Sequence, residues 1–258
     1  MKIAILGAGK MGAWMARQLS EKHEVAVYDV DRFKAGGIPN VKPLGKPGEI
    51  GEFAPELLVN AVNLDKTVEA FEGVLPHLSA DCILCDLASV KGSLPHFYKK
   101  SGHRFVSVHP MFGPTFADMD SLREENAVII RESDSSGAAL FREFFSSFGL
   151  HVFEYTFAEH DEMMAYSLTT PFIASLVFAS CLGTTVVPGA TFAKHMKIAR
   201  GLLSEDEWLI CEILFNQHSI KQIEKMTAKL EFLKHIIMAK DHTEAREFLA
   251  KLRKNVER

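Results

Sequence analysis

Met1-Lys-Ile-Ala-Ile-Leu-Gly7-Ala-Gly-Lys-Met-Gly12 opens the chain, and its reading decides the fold. Ile3 to Leu6 is a short apolar run of strand length, three glycines follow it directly, and Ala13 to Glu21 then reads as a helix with Trp14, Met15 and Leu19 on one side. Strand, glycines and helix in that order make a dinucleotide-binding turn. Gly7 permits the tight turn, Gly9 lets a pyrophosphate approach the backbone, and Gly12 lets helix and strand pack closely. Lys10 and Met11 share the turn, where free amides at the helix start face the phosphates. The next strand, Glu24 to Tyr28, ends in Asp29, whose carboxylate suits the ribose hydroxyls and repels a 2′-phosphate. The expected cofactor is NAD.

Working outward, the segment from Asp31 to Glu56 holds Gly36, Gly37, Pro39, Pro43, Gly45, Pro47 and Gly48, and is expected to be loop with one short strand near Val41. Apolar runs at Leu57–Val62, Ala80–Cys85, Phe105–Val108, Asn126–Ile130 and His151–Tyr155 read as strands, with helices at Lys66–Leu75 and Ser136–Phe148 between them. Strands alternating with helices over this length predict a doubly wound α/β domain of the Rossmann type, residues 1–156. After Tyr155 the character changes, and residues 157–258 are expected to form an all-helical domain. Ser204-Glu-Asp-Glu207 reads as a capping box, apolar residues recur from Leu209 to Ile237 three, four or seven apart, and a last helix covers about Thr243 to Val256.

The chain has 258 residues, 47% of them hydrophobic, enough for a real core in one or two domains. Net charge is −4, from 29 basic and 33 acidic residues, which gives no polybasic character to suggest nucleic acid. Cys82 and Cys85 fall within an apparent strand and read as buried thiols; no metal site is expected. The chain enters its first strand at once, so a cytoplasmic protein is expected. From Met163 to Ala193 there is no Asp, Glu, Lys or Arg, a span longer than the roughly 20 residues a bilayer needs. Pro171, Gly183, Pro188 and Gly189 interrupt it, so it is read as a helix buried in a core or subunit interface, with no membrane. A roughly 100-residue helical domain that cannot cover this stretch alone predicts a homodimer.

Two strand ends carry the candidate chemistry. Ile83-Leu-Cys85 breaks into Asp86-Leu-Ala-Ser89-Val-Lys91-Gly, and Phe105-Val-Ser-Val108 into His109-Pro-Met-Phe-Gly-Pro. In an open parallel sheet, ligands gather beyond such ends. Ser89 can also be read as the N-cap of the next helix, and Lys91 as a surface or structural lysine. Asp86 can satisfy backbone amides at its strand end or shape the nicotinamide pocket.

The motifs GAGKMG at Gly7, DLASVKG at Asp86, HPMFGP at His109 and the HD-x-x-MAY run from His160 resemble, in order and spacing, the prephenate/arogenate dehydrogenase family of tyrosine biosynthesis. The resemblance implies a nicotinamide-binding domain followed by a helical domain that dimerises. It implies oxidation of prephenate, or of arogenate with its amino group, in which hydride leaves the carbinol carbon, the hydroxyl proton is removed and carbon dioxide departs. His109 would take that proton, and Ser89 would hydrogen-bond the same hydroxyl or His109. His160, Lys197 and Arg200 are the expected substrate contacts, Arg200 lying just ahead of Ser204-Glu-Asp206 where the family carries a carboxylate-binding arginine. A guanidinium also grips a carboxylate with two parallel hydrogen bonds. His160 and Asp161 can equally be a structural pair at a helix start. The family's second histidine, twelve residues past the first, is Phe172 here. A hydroxy-acid dehydrogenase or imine-type reductase has similar architecture, although the former would place a lysine in the helix that here has none. A non-catalytic NAD-binding protein is the remaining alternative.

Overall fold

A computed structural model of the chain describes residues 1–113, 117, 121–183 and 187–257. The final proline of the HPMFGP motif lies outside them, as do three residues of the uncharged stretch. Among the described residues, eight strands form one sheet in the order β3-β2-β1-β4-β5-β6-β7-β8. They are β1 (Lys2–Leu6), β2 (Glu24–Tyr28), β3 (Lys42–Leu44), β4 (Leu57–Asn60), β5 (Ile83–Asp86), β6 (Phe105–Pro110), β7 (Asn126–Ile130) and β8 (His151–Tyr155). The first six are parallel; β7 runs antiparallel to β6, and β8 follows β7.

Strands buried on both faces read as continuous apolar runs, which is why KIAIL, LLVN and ILCD lack polar alternation. One face packs Ile3, Ile5, Val27, Val59 and Cys85 with α1 (Lys10–Leu19) and α6 (Ser135–Ser147). The other packs Ala4, Leu6, Leu58 and Leu84 with α3 (Gly48–Phe53), α4 (Thr67–Val74) and α5 (Leu94–Ser101). Burial pushes the Cys82 thiol up to about 12 and the Cys85 thiol well above its ordinary range, so both stay protonated in the core.

The segment expected to be loop holds two short helices, α2 (Arg32–Gly36) and α3, beside β3. Asp31 caps α2 by accepting from the Phe33 amide, a local signal that the density of Gly and Pro obscured.

Beyond β8 the chain is helical. α7 (Phe157–Met164) starts with a capping box between Thr156 and Glu159 and runs through a π-helical turn, Ala165–Thr169, into α8 (Thr170–Ser180). α9 (Ala190–Leu203), α10 (Glu207–Leu214), α11 (Ser219–Ala239) and α12 (His242–Val256) follow. The capping box expected at Ser204 does not form. Ser204 terminates α9 and donates its hydroxyl to the Gly201 carbonyl, while the Asp206 carboxylate caps α10. The uncharged stretch was expected to be buried on most sides, yet within one chain α8 buries no residue. The 24-residue helix Phe157–Ser180 is long and apolar enough to cross a bilayer, with a mean hydropathy of 1.4 over its most apolar 18 residues.

Candidate active site

The order of strands reverses between β1 and β4, so the loops after them diverge and open a crevice at their carboxyl ends. Gly7 has φ +90°, and a Cβ there would meet the Ala61 carbonyl oxygen at 2.9 Å, which closes the turn against the loop after β4. A Cβ on Gly12 would lie 2.1 Å from the Gly7 carbonyl oxygen, so only glycine lets α1 come this close. At Gly9 a Cβ would meet nothing within 4 Å among the described residues, so the backbone is open there to a close approach. Gly9 is also the N-cap of α1 and offers no side-chain acceptor, leaving the first-turn amides free for phosphate. Asp29 stands at the end of β2, its carboxylate accepting from the Ala8 amide (2.6 Å) and the Asp31 amide (2.8 Å). These residues fit a dinucleotide.

A cavity of about 530 Å³ continues from this crevice. Lys10, Met11, Ser89 and His109 line it together with Asn60 and Asn63 after β4, Glu125, and Met164, Ser167, Leu168 and Phe172 from the helical part. Glu205, Asp206, Leu209 and Ile213 close its far side. Phe112 is set in its wall by an edge-to-face contact with Trp14 of α1, ring centroids 5.4 Å apart. Ser89 caps no helix; α5 begins after Ser93. Its hydroxyl makes no hydrogen bond with the described residues and is open to the cavity, where it is not seen to orient His109.

His109 lies on β6 at the edge of the cavity and is 6% exposed. Its Nδ1 is 3.0 Å from His160 Nε2, and His160 Nδ1 is 3.0 Å from Asp161 Oδ1. The Asp161 carboxylate also accepts from the Lys91 amide (2.8 Å) and the Gly92 amide (2.9 Å). His160 is therefore not a substrate contact: it is fully buried, and both ring nitrogens are occupied inside the protein. Asn216 holds this arrangement from the helical side, donating to the Asp161 carbonyl at 2.8 Å.

A carboxylate only accepts, so the proton at the Asp161 contact sits on His160 Nδ1. Neutral His160 then offers Nε2 as acceptor, and His109 must donate from Nδ1. The tautomer so assigned leaves His109 Nε2 without a proton. Burial holds the His109 imidazole well below the ordinary histidine range, helped by His160 and by the Lys91 charge. Burial likewise lowers His160, against Asp161. Burial opposes the Asp161 charge, but the His160 ring and the two backbone amides outweigh it and keep this carboxyl below the usual range.

Lys91 is not a surface residue. Its ammonium is fully buried, donating to Asp86 Oδ1 (2.7 Å) and to the Val108 carbonyl (2.8 Å). Asp86 accepts in addition from the Tyr98 hydroxyl (2.7 Å) and the Ala88 amide (3.0 Å). The five-residue spacing of Asp86 and Lys91 across a strand end was the available signal for this pair. Nothing in the sequence singled out Asn60 and Asn63; the clue is an Asn that ends a fully apolar strand. Lys197 and Arg200, expected at the substrate, stand on the exposed side of α9, which buries Ala199 and Leu202 instead, and neither lines the cavity of its own chain.

Residues 49–152 match the family model of the prephenate dehydrogenase nucleotide-binding domain, and residues 2–95 match that of the NAD-binding domain of 6-phosphogluconate dehydrogenase. Among solved structures, prephenate dehydrogenase from Aquifex aeolicus superposes with a TM-score of 0.85 at 22% identity, over 99% of both chains. The same score, at 19% identity and over 100% of this chain and 98% of the other, is found for that enzyme crystallised with hydroxyphenyl propionate and NAD⁺. Arogenate dehydrogenase from Synechocystis superposes with a TM-score of 0.78 at 18% identity, over 100% and 99% of the chains. These likenesses extend the shared fold through the helical part. The match over residues 49–152 agrees with the resemblance of the motifs to the prephenate/arogenate dehydrogenase family, and the match over residues 2–95 agrees with an NAD-binding domain.

Proposed function

We propose that the whole chain is an NAD-dependent dehydrogenase that oxidatively decarboxylates prephenate to 4-hydroxyphenylpyruvate, with His109 as the base. The observation that carries this reading is the chain His109–His160–Asp161, which begins at a histidine that lines the cavity beside the glycine turn and to which the tautomer assigned above gives a free Nε2 lone pair. Bound NAD⁺ supplies the hydride acceptor. His109 Nε2 takes the hydroxyl proton, His160 and Asp161 hold its tautomer, and Ser89 is placed to hydrogen-bond the same hydroxyl. Aromatisation supplies much of the driving force, so the residues mainly orient donor and acceptor. A lysine base of the hydroxy-acid type finds no support, because the polar groups that the helical part lends to the cavity are Ser167, Glu205 and Asp206.

The cavity of one chain carries Lys10 as its only lysine or arginine among the described residues, yet prephenate bears two carboxylates. We assign the missing cation to α9 of a second copy, whose Lys194, Lys197 and Arg200 are exposed, in a homodimer formed through the helical part. Unchanged KM in each of Arg200→Gln, Lys197→Gln and Lys194→Gln would remove this assignment. Arogenate is the second reading: Glu125 and Glu205 line the cavity and suit its ammonium, while Phe172 offers no donor to a keto group. NADH production with each substrate in parallel decides between them.

His109→Asn tests the core of the proposal. It should keep the fold and NAD⁺ affinity and lower turnover by roughly 10² to 10⁴. In the unsubstituted protein, activity rises with pH as the imidazole loses its proton. Because burial depresses that proton affinity, the rise should be complete below pH ~6.5, the ordinary histidine value. Near-normal turnover in His109→Asn would leave the residue structural only.

A further inference from the structure

We infer that Lys91, paired with Asp86, is a positioning residue for His109: it fixes the backbone that presents the ring and sets the charge of its ammonium behind it. The inference rests on the reading of His109 as the base. Its geometric ground is the Lys91 ammonium, which has two partners in the fold, the Asp86 carboxylate at 2.7 Å and the carbonyl of Val108 at 2.8 Å. Val108 immediately precedes His109 on β6, so the lysine holds the peptide from which the imidazole projects. The Lys91 amide meanwhile donates to Asp161, which orients His160 and through it the far side of the same ring. One residue thus grips His109 from its own strand and from the histidine behind it.

The charge has a cost that packing does not explain. Both side chains of the pair are fully buried, and a buried ion pair is often no more stabilising than an apolar pair of equal volume. Tyr98 and the Ala88 amide add two donors to Asp86, so both of its carboxylate oxygens are hydrogen-bonded. What an apolar pair cannot supply is a fixed cation near the imidazole. Around His109, His160 touches the ring with Asp161 behind it, Lys91 and Asp86 stand behind the Val108 peptide, and Lys10, Glu125, Glu205 and Asp206 line the cavity that His109 also lines. Of these, His160 and Lys91 bear on its proton affinity, both downward, after burial itself.

The test uses the full chain, Lys91→Met and the double variant Asp86→Asn/Lys91→Met, which leaves no unpaired carboxylate and so guards against loss of the fold. The His109 titration is followed by NMR on histidine-labelled protein, its signal assigned by its absence in His109→Asn. Thermal midpoint, NAD⁺ affinity and turnover are measured beside it. In both variants the His109 midpoint should move to higher pH, and turnover at neutral pH should fall roughly tenfold to a hundredfold, as small misplacements of a base do, with NAD⁺ affinity retained. A lower thermal midpoint with the His109 titration and turnover unchanged would overturn the inference and leave Lys91 a packing residue. The titration does not depend on turnover, so a normal rate in His109→Asn would remove the base assignment without being mistaken for this result.

Discussion

The two parts of the chain bury their apolar residues in opposite ways. β4 and β5 are buried at every position and β1 at all but Lys2, whereas α8 and α12 bury none and α11 buries three of its 21 residues. A sheet with helices on both faces closes its own core, since each strand meets a neighbour and each face a layer. The helices after residue 156 have no such layer. Ile220, Ile223, Leu230 and Ile237 fall along one side of α11 and are all exposed, Ile237 at 71%, with Phe215 at 76% just before the helix. The difference is between a first part whose core is closed within one chain and a second whose apolar side is left open there, for which we propose a second copy as the cover.

The largest expected effect follows directly. Light scattering at micromolar concentration should give twice the chain mass, and Ile237→Glu, which places a charge in the apolar stripe, should shift the protein toward monomer and lower its thermal midpoint. A monomeric unsubstituted protein with an intact fold would break the comparison, since the helical part would then be stable with its apolar side in water.

How much of this could be read in advance divides along the same line. The strands of the first part were legible because burial on both faces leaves an uninterrupted apolar signature, and the glycine turn because its spacing is dictated by the close approach of α1 to β1. The short helices α2 and α3 were hidden, their caps and Gly or Pro residues outweighing two or three apolar positions. In the helical part, the period of α11 was legible but its partner was not, so a register for Lys197 and Arg200 relative to a cavity had no basis in one chain. The site shows the same split. His109 and Ser89 stand at strand ends where topology gathers ligands. The buried state of Lys91 and the role of His160 depend on contacts across 17 to 70 residues, such as the Lys91 amide to Asp161, which no local pattern encodes.

If the first part is self-sufficient, its cofactor choice should not need the second. NAD⁺ should bind more tightly than NADP⁺ by on the order of a hundredfold, because a 2′-phosphate would meet the Asp29 carboxylate in place of a ribose hydroxyl. That ratio should persist in Ile237→Glu, measured as binding rather than turnover. Equal affinity for the two cofactors would sink the assignment of Asp29, with Arg32 three residues on as the cation responsible. A ratio lost only in the assembly-deficient variant would show instead that the second part shapes the first.

The smallest effect concerns a buried polar thread that joins the two parts, His109 on β6 to His160 and Asp161 on α7. Both imidazoles are held below the ordinary histidine range by burial, so between that lowered value and pH ~6.5 the unfolded chain binds more protons than the folded one. Stability then rises with pH through this window and is lost as pH falls below ~6.5, by at most about 1.4 kcal/mol per pH unit for each group. Asp161, whose carboxyl is lowered, adds a loss only at more acid pH, near and below the ordinary carboxylate range. His23, also lowered by its partial burial, contributes to the same upper window from outside the site. The thermal midpoint of the unsubstituted protein should therefore drop between pH 7 and pH 5, and His109→Asn should flatten that drop without abolishing it. An equal slope in both proteins would mean that His109 charges freely in the folded state, in which case the junction between the parts is wet and the tautomer assigned to His109 loses its footing.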